Sequence, residues 1–446
     1  MSGQQSYSGQ PRRPGRAEES LSPDDIERLL DEGVARTVAY VHANSPFYRE
    51  VLDNEGLSPG DIASTEDLKR VPPTTKHDIS RHGRRMWCVP PEKIVDIVTT
   101  SGTTGTPTLY PMTEADIHRL GYNEYLSFRC AGLTPSDVVL LAVTMDKCFM
   151  AGLAYFEGLR QIGAAVVRVG SGSPVMLLNL AERLRATAIV SVPSFLKRIA
   201  GYAAEAGFDL AGSTVEKAIC IGEPVRGDDF ELTPLCRQLT EAWGATLYST
   251  YGVTEIATSL CECDAGQGGH LHPELLHVEI LDEHGSPVPD GQVGEVVATT
   301  IGVEALPLLR FGTGDLAFML RDRCPCGRWT PRLGPIVGRK NQMMKIKGTT
   351  VFPAAVVKAL SSVEGIINYV MVATSPAPLE DELEIVVAVE GSEAGVCQRI
   401  RDVLRGSLKV TPSVRAAPVG DVLRLQDAEN SRKKRVFVDR RQSQTE

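Results

Sequence analysis

The sequence predicts an α/β protein with a large N-terminal domain of parallel αβ layers, a β-rich subdomain and a small, mobile α+β C-terminal lid. Apolar runs of strand length alternate with helical patterns over residues 138–221, which is typical of βαβ units and a parallel sheet. From about residue 276 the pattern changes to closely spaced strands separated by turn signals. Residues 349–446 combine two helical and two strand patterns, which indicates a separate small domain.

The length of the chain sets the domain division. At 446 residues it exceeds one typical core, so two or more domains are expected. Residues 1–20 are rich in Gln, Ser, Gly, Pro and Arg and are predicted to be disordered. We expect an N-terminal domain over 21–338 with its β-rich subdomain at about 260–337, then a hinge at 339–348 and a lid at 349–446.

Capping signals, chain breakers and periodicity predict the individual elements. Ser22-Pro23-Asp24-Asp25 starts a helix over 21–41, which Asn44-Ser45-Pro46 breaks. A short helix is predicted at Ser64–Val71 and a short buried strand at Ile94–Val98. The remaining helices are predicted over residues 113–130, 152–163, 176–186, 194–207, 353–362 and 393–407. The remaining strands are predicted over residues 138–143, 164–169, 188–192, 215–221, 278–282, 294–300, 308–318, 369–373 and 383–389.

Composition and charge exclude several classes of function. The net charge of −9 argues against general nucleic-acid binding, for which a basic surface supplies most of the affinity. No apolar run reaches the length of about 18 residues that indicates a membrane span. The N-terminus lacks the apolar core of a signal peptide, so a cytoplasmic location is expected. In that compartment the ten cysteines are not expected to form disulfides.

One stretch, Thr99–Pro107, combines two glycines with a series of Thr and Ser hydroxyls after the strand predicted at Ile94–Val98. Gly102 and Gly105 let the backbone approach an anion, and successive N–H groups can form an anion-binding nest. No Gly-Lys-Ser/Thr follows, so the loop is not a Walker A motif. An ordinary turn between strands is the alternative interpretation.

Read with the downstream segments, the motif Ser101-Gly102-Thr103-Thr104-Gly105-Thr106-Pro107 resembles the phosphate loop of the adenylate-forming (acyl-AMP) superfamily. Four later segments resemble that superfamily in the same order: Tyr251–Glu255, Arg310–Asp315, Gly338-Arg339 and a basic segment around Lys433. Within the superfamily the chain is most similar to the phenylacetate–CoA ligase branch. The segments that carry this similarity are Ser45–Tyr48, Pro73–Lys76, Leu306–Arg310 and Val351–Pro353.

The resemblance implies that a carboxylate attacks the α-phosphate of ATP to give acyl-AMP and pyrophosphate. Residues 101–106, including Thr104 as a catalytic residue, would then bind the phosphates. Glu255 matches the acid that holds Mg²⁺ in the family, and a hard cation needs such an oxygen ligand. A helix-capping acid is the alternative role for Glu255. Lys76 lies near the nucleotide loop in the family, but from the sequence alone a solvated lysine is expected.

Further matches imply the rest of the nucleotide site. Asp315 corresponds to the acid that accepts both ribose hydroxyls, and Arg339 to an arginine that contacts ribose or phosphate. Their alternatives are a turn aspartate and a surface arginine. The adenine-side set comprises Gly222, Glu223, Pro224, Tyr251, Gly252 and Thr254. The leading glycine of the family's adenine loop is absent here, and a buried core aromatic is the alternative for Tyr251.

The C-terminal match departs from the family pattern at two places. Lys433 is favoured as the catalytic lysine, while a different alignment puts Arg432 in that position and a solvated basic tail is the third interpretation. The hinge segment has Asn341 and Gln342 where the family has two acids, which leaves open whether the lid rotates as in the CoA ligases.

Grouped cysteines indicate a structural zinc site. Some members of the phenylacetate–CoA ligase branch hold zinc with a similar pattern, and by that match the ligands are Cys263, His270, Cys324 and Cys326. Cys261 and His272 are reserve ligands. Reduced thiols without a metal are the alternative.

Three functions remain open at this level. The first is an ATP-dependent carboxylic acid–CoA ligase for an aryl or arylalkyl acid, with pocket walls from Phe149, Phe156 and residues 248–251. The second is an amide-forming ligase that transfers the acyl-AMP to an amine or amino acid. The third is a non-catalytic nucleotide-binding homologue. The expected partners are small molecules, neither nucleic acid nor membrane, and a homodimer is common in the family.

Overall fold

The computed structural model describes residues 21–100, 108–346, 348–377, 380–426 and 435–441. The chain divides into two compact units, of which the first comprises residues 1–313 and 317–335 and the second residues 314–316 and 336–446. The segment 1–20, predicted to be disordered, lies outside the described residues. The domain boundaries drawn from the sequence, including the hinge, stay predictions.

The first unit holds eight α-helices among its described residues. They are α1 (Pro23–Asn44), α2 (Pro46–Asn54), α3 (Lys76–His82), α4 (Glu114–Cys130), α5 (Met150–Ile162), α6 (Pro174–Leu184), α7 (Pro193–Ala206) and α8 (Pro234–Trp243). Its strands are β1 (Asp96–Thr99), β2 (Leu109–Met112), β3 (Val138–Leu141), β4 (Ala165–Arg168), β5 (Ala188–Ser191), β6 (Lys217–Ile221), β7 (Thr246–Val253), β8 (Thr258–Cys261), β9 (Gly269–His270), β10 (Leu276–Leu281), β11 (Gly294–Thr300), β12 (Phe311–Ala317), β13 (Met319–Leu320) and β14 (Arg332–Leu333).

A six-stranded sheet with the order β4-β3-β5-β6-β7-β8 forms the centre of the first unit. Its first five strands pair in parallel, and β8 pairs antiparallel with β7 at the edge. Alternate residues of β3 pack into two different apolar clusters. Leu140 belongs to one cluster, and Val139 and Leu141 belong to the other. Burial on both faces explains the continuous apolar runs, and the predicted parallel sheet is confirmed.

Two local predictions were wrong. The strand expected to be buried at Ile94–Val98 is instead β1 of a two-stranded hairpin with β2, and Val95 and Ile97 are 55% and 42% exposed. A lone hairpin packs one face only, so half of its side chains stay at the surface. The helix predicted at Ser64–Val71 is a 3₁₀ turn at Asp67–Arg70.

The predicted start and break of the first helix are confirmed. Ser22 and Asp25 form a reciprocal capping box at the start of α1. Ser45 ends α1 and also caps α2, where its side chain accepts a hydrogen bond from the Tyr48 N–H. The short helix α2 was not predicted, since Asn44-Ser45-Pro46 indicates that one helix ends but not that a second one begins.

The β-rich part of the first unit is built on antiparallel pairs. Strands β10 and β11 align Leu276 with Thr300, and a small sheet has the order β13-β14-β9. In the described part of the chain, no helix combines the length and apolar character needed to cross a bilayer.

The second unit is a small α+β fold. Its elements are β15 (Gly338–Arg339), β16 (Met344–Ile346), β17 (Thr349–Val351), α9 (Pro353–Leu360), β18 (Ile366–Ala377), β19 (Glu380–Val389), α10 (Glu393–Leu408), β20 (Ser413–Ala416), α11 (Val419–Leu425) and β21 (Phe437–Asp439). The main sheet has the order β20-β19-β18-β21. Strand β15 pairs with residues 315–316 of β12, which belong to this unit.

Candidate active site

Glu255 lies in the tight turn that joins the last two strands of the central sheet. Strands β7 and β8 pair until Val253 meets Thr258, and residues 254–256 form a 3₁₀ turn between them. Glu255 is only 4% exposed there. The turn extends from the carboxyl end of β7, where parallel sheets place their ligands.

A lysine from a distant segment neutralises this buried acid. The Lys76 Nζ lies 2.9 Å from the Glu255 Oε1, and the lysine side chain is 46% exposed. The contact is an ion pair, and among the described residues Oε1 has no hydrogen-bond partner besides it. Burial of a carboxylate without a partner is unfavourable, so a cation beside Oε1 stabilises it, although solvent around the half-exposed lysine keeps the gain modest. Lys76 is therefore a candidate site residue, although the sequence alone predicts a solvated lysine.

Three segments that mark the phenylacetate–CoA ligase branch meet to hold Lys76 in place. The Thr74 hydroxyl donates to the Leu309 carbonyl at 2.7 Å, so the Tyr48 hydroxyl, 3.0 Å away, donates to Thr74. Tyr48 in turn accepts the Leu309 N–H at 3.0 Å. Next along the chain, Thr75 caps α3, which begins at Lys76. The sequence indicates the helix cap at Thr75 and the segment that contains Lys76, but it does not indicate that Lys76 contacts Glu255.

The predicted loops gather at the carboxyl edge of the parallel strands. Glu223, just after β6, accepts hydrogen bonds from the Ser194 N–H at 2.8 Å and the Ser194 hydroxyl at 2.6 Å. Gly222 has a φ of +68°, which explains why a glycine stands there. Pro224 follows in the same loop, Tyr251 and Gly252 lie near the end of β7, and Thr254 starts the turn.

In the second unit, the two predicted ribose residues face each other. Asp315 on β12 is paired in register with Arg339 on β15, and the Arg339 Nε donates to the Asp315 Oδ1 at 2.9 Å. Asp315 is 3% exposed, whereas the arginine side chain is 50% exposed. The pair thus presents a fixed carboxylate beside a solvent-accessible guanidinium.

The remaining predicted nucleotide and catalytic residues lie outside the described part of the chain. They are Ser101, Gly102, Thr103, Thr104, Gly105, Thr106, Arg432 and Lys433. Their roles stay predictions. The expected wall residues Phe149 and Phe156 pack against one apolar cluster that includes Tyr248.

A second constellation brings together the four residues expected to hold a metal. One ligand atom from each of Cys263, His270, Cys324 and Cys326 lies within 4.8 Å of all the others. The Cys263 and Cys324 sulfurs are 3.6 Å apart, and the Cys326 Sγ is 3.5 Å from the His270 Nε2. The two reserve ligands make hydrogen bonds outside this cluster. The Cys261 thiol accepts one from the Thr250 hydroxyl, and the His272 ring is hydrogen-bonded to the Ser127 hydroxyl.

The surroundings of this Cys/His cluster shift the pKa values of its three thiols in different directions. Burial raises the pKa of the Cys263 and Cys324 thiols. Burial also acts on Cys326, but hydrogen bonds from His270 and Arg328 outweigh it and lower the pKa of that thiol to about 5. On the other side of its ring, the His270 Nδ1 lies 2.8 Å from the Thr330 hydroxyl, which orients Nε2 towards the sulfurs.

The sequence is similar to a known protein family and to several characterised enzymes. The family model of AMP-binding enzymes matches residues 18–304. The phenylacetate-coenzyme A ligase of Thermus thermophilus is 32% identical, with 83% of each chain covered. The enzyme of that name from Escherichia coli is 26% identical over 91% of this chain and 94% of its own.

Solved structures match the fold over nearly the whole chain. A crystal structure of 2-hydroxyisobutyryl-CoA ligase with 2-HIB-AMP in the postadenylation state has a TM-score of 0.82 and 22% identity, covering 95% of this chain and 91% of its own. The predicted fold class is therefore confirmed. Taken with the sequence relatives, these matches show that the chain belongs to the family of AMP-binding enzymes, in the branch of the phenylacetate–coenzyme A ligases.

Proposed function

We propose that this protein is an ATP-dependent acid–thiol ligase. It activates a carboxylic acid to acyl-AMP with release of pyrophosphate, and then transfers the acyl group to coenzyme A. The observation that carries the proposal is the buried Glu255 carboxylate, which sits beyond the strand ends and beside a cation. The family relatives named as CoA ligases support the acceptor.

We further propose Glu255 as a ligand of Mg²⁺. The Oε1 oxygen suits the role because it is buried and, among the described residues, its polar partner is the Lys76 ammonium, so the position takes positive charge. When bound, Mg²⁺ supplies charge neutralisation at the ATP phosphates. Lys76 is long and half-exposed, which allows it to turn from the carboxylate towards an anionic phosphate.

Other residues are proposed to orient the nucleotide and the acyl-phosphate. Asp315 accepts the ribose hydroxyls, while Arg339 keeps that carboxylate in position and offers its remaining N–H groups to ribose or phosphate. Glu223 orders the adenine-side loop through its two hydrogen bonds to Ser194. The loop 101–106 and Lys433 are proposed to contact the phosphates and the forming acyl-phosphate on the strength of the resemblance.

The acid is proposed to be an aryl or arylalkyl carboxylate. The apolar cluster with Phe149, Phe156 and Tyr248 suits an aromatic ring. Relatives named for phenylacetate and for 3-hydroxybenzoate support the same class of acid.

The Cys/His cluster is proposed to hold a structural Zn²⁺. With zinc bonds of about 2.3 Å to sulfur, a tetrahedral site separates two sulfurs by about 3.8 Å; with about 2.05 Å to nitrogen, it separates sulfur and nitrogen by about 3.5 Å. The observed separations of 3.6 Å and 3.5 Å fit both values. Four protein ligands leave no open position, so the ion would join the loops at Cys263 and Cys324 without taking part in the reaction.

A cytoplasmic location is proposed from the thiols. The cysteines of the described residues are all free, which suits a reducing compartment, and fractionation of cells that produce the protein would test it.

The experiment that tests the function is pyrophosphate release with a panel of aromatic acids. We expect release that requires both ATP and an acid, and consumption of the acyl-AMP when CoA is added. Consumption by an amine but not by CoA would instead favour an amide-forming ligase, and no release with any acid would favour a nucleotide-binding homologue without activity.

A further inference from the structure

We propose that Arg119 is a positioning residue that holds the turn bearing Glu255 in its metal-binding geometry. The inference rests on the proposed role of Glu255 as a magnesium ligand. It concerns a residue of α4 that is remote from Glu255 in the sequence and lies outside the motifs named in the sequence analysis.

The turn at Glu255 ends in a backbone conformation that needs support. Ala257 has a φ of +46°, in the left-handed region that residues with a Cβ rarely adopt. Its N–H donates to the Thr254 carbonyl at 3.1 Å and so closes the turn around Glu255. A non-glycine residue stays in this conformation only where its surroundings fix it.

Arg119 supplies that fixation from a buried position. Its side chain is part of a residue only 7% exposed, and its Nη1 donates to the Ala257 carbonyl at 2.5 Å. Its Nη2 donates to the Thr258 hydroxyl at 3.1 Å. Both contacts lie at the exit of the turn, within three residues of the Glu255 carboxylate.

The other N–H groups of Arg119 anchor it to a separate part of the first unit. Nε donates to the Ile301 carbonyl at 2.7 Å, and Nη2 also donates to the Leu275 carbonyl at 2.6 Å. One planar guanidinium therefore ties the turn to the ends of β10 and β11. A lysine ammonium lacks this fixed fork and cannot reproduce all four directions.

The N-terminal end of α4, which carries Arg119, is also fixed by hydrogen bonds. Asp116, three residues earlier on α4, accepts the N–H groups of Glu304 and Ala305 at 2.6 and 3.0 Å. It also completes the capping box of α4 with Thr113. The helix end, the guanidinium and the Glu255 turn thus form one connected frame. A small cation such as Mg²⁺ tolerates little displacement of its ligands, so loosening the frame weakens the site.

The test compares Arg119→Lys with Arg332→Lys in the full-length protein. Arg332 is the matched control because it is also a buried arginine, 1% exposed, but donates to Gln267 and Asp322, away from the turn. Both variants are expected to lower the melting temperature. Only Arg119→Lys is expected to raise the Mg²⁺ concentration for half-maximal pyrophosphate release, by about tenfold, as loss of a supporting contact to a metal ligand does.

A second measurement needs neither metal nor activity. Hydrogen–deuterium exchange of the peptide covering 252–258 should be faster in Arg119→Lys than in Arg332→Lys in the absence of nucleotide. Ala257→Gly keeps the test open if Arg119→Lys does not fold, because glycine accepts the positive φ without strain. In the Arg119→Lys background it should partly restore folding, slow exchange at the turn and lower the Mg²⁺ requirement, since a glycine turn depends less on the lost contacts.

The outcomes separate this inference from the function on which it rests. If Arg119→Lys matches Arg332→Lys in both exchange and Mg²⁺ dependence, Arg119 only stabilises the fold and the inference is overturned. If Glu255→Gln leaves the Mg²⁺ dependence unchanged, the proposed role of Glu255 fails even where the exchange result holds. In the double variant, Arg119→Lys should add little to the effect of Glu255→Gln, since both act on one ligand.

Discussion

Lys76 and Glu255 come from distant parts of the first unit's sequence, yet the Lys76 Nζ lies 2.9 Å from the Glu255 Oε1. The carboxylate is buried and the lysine side chain is half-exposed. Because half of its side chain is in water, the lysine can leave this carboxylate for another anion. This arrangement suits a carboxylate that exchanges one positive partner for another.

Glu255→Gln tests the acid directly. We expect the rate of pyrophosphate release to fall about a hundredfold or more, because a neutral amide binds Mg²⁺ poorly and the metal contributes several kcal/mol to charge stabilisation. Glu262→Gln is the matched control: Glu262 is also buried, on the chain just after β8, but pairs with Arg226. A loss of stability without a change in Mg²⁺ dependence is expected for the control. Equal Mg²⁺ dependence in the two variants would contradict the assignment.

Lys76→Met measures how much the Lys76 ammonium contributes to stability by pairing with the buried Glu255 carboxylate. We expect the free energy of unfolding to fall by about 1 kcal/mol without Mg²⁺, a modest value because half of the lysine is in water and solvent screens the pair. Added Mg²⁺ and ATP should recover most of that loss. Lys69→Met removes a surface lysine paired with Glu66 and should change stability by less than about 0.5 kcal/mol. Urea unfolding with and without MgATP checks this, and a loss that MgATP does not reduce would count against a shared cation position.

The Cys/His cluster should carry one zinc ion per chain. Metal analysis of the purified protein is expected to find it, and Cys263→Ser should abolish it and lower the melting temperature. Cys261→Ser is the control, because that thiol lies outside the cluster and accepts a hydrogen bond from Thr250. Purified wild-type protein without zinc, or zinc retained in Cys263→Ser, would refute the site.

Glu124 should make the stability of the protein depend on pH. Burial raises the pKa of this carboxyl to about 7, although hydrogen bonds from Ser259 and Asn123 oppose the shift. An acid with a raised folded-state pKa binds its proton more tightly when folded, so stability falls as the pH rises from about 4.5 to about 7 and then levels off. The shift corresponds to a penalty on the order of 3 kcal/mol above pH 7.

Glu124→Gln removes that titration while keeping an oxygen that can accept from Asn123. We expect the variant to be more stable than the wild type at pH 8, with the advantage shrinking as the pH falls towards 5. Urea unfolding at a series of pH values measures it. A difference between the two proteins that is constant with pH would contradict the prediction.

Much of the fold could be predicted because the central sheet is covered on both faces. Val138–Leu141 and Ala188–Ser191 read as continuous apolar runs for that reason, and the alternation with helices indicated parallel pairing. The same signal failed at Ile97, because a short apolar run does not reveal whether its second face is covered. The sequence pattern also did not indicate that the edge strand β8 pairs antiparallel, because the direction of pairing is set by the tight turn at Glu255.

The candidate site was predictable only where residues follow motifs. Asp315 with Arg339, and the four residues of the Cys/His cluster, were expected from the family resemblance, and the structure brings each set together. Lys76 and Arg119 could not be assigned, because their partners at Glu255 and Ala257 are far away in sequence and only tertiary folding joins them. The loop 101–106 and Lys433 stay predictions.

The most direct test of the central claim is acid-dependent pyrophosphate release by the purified protein, followed by addition of CoA. We expect release only when ATP, Mg²⁺ and an aromatic acid are all present, and conversion of the acyl-AMP to a thioester once CoA is added. Release that does not depend on any acid, or an acyl-AMP that CoA leaves unconsumed, would contradict the account.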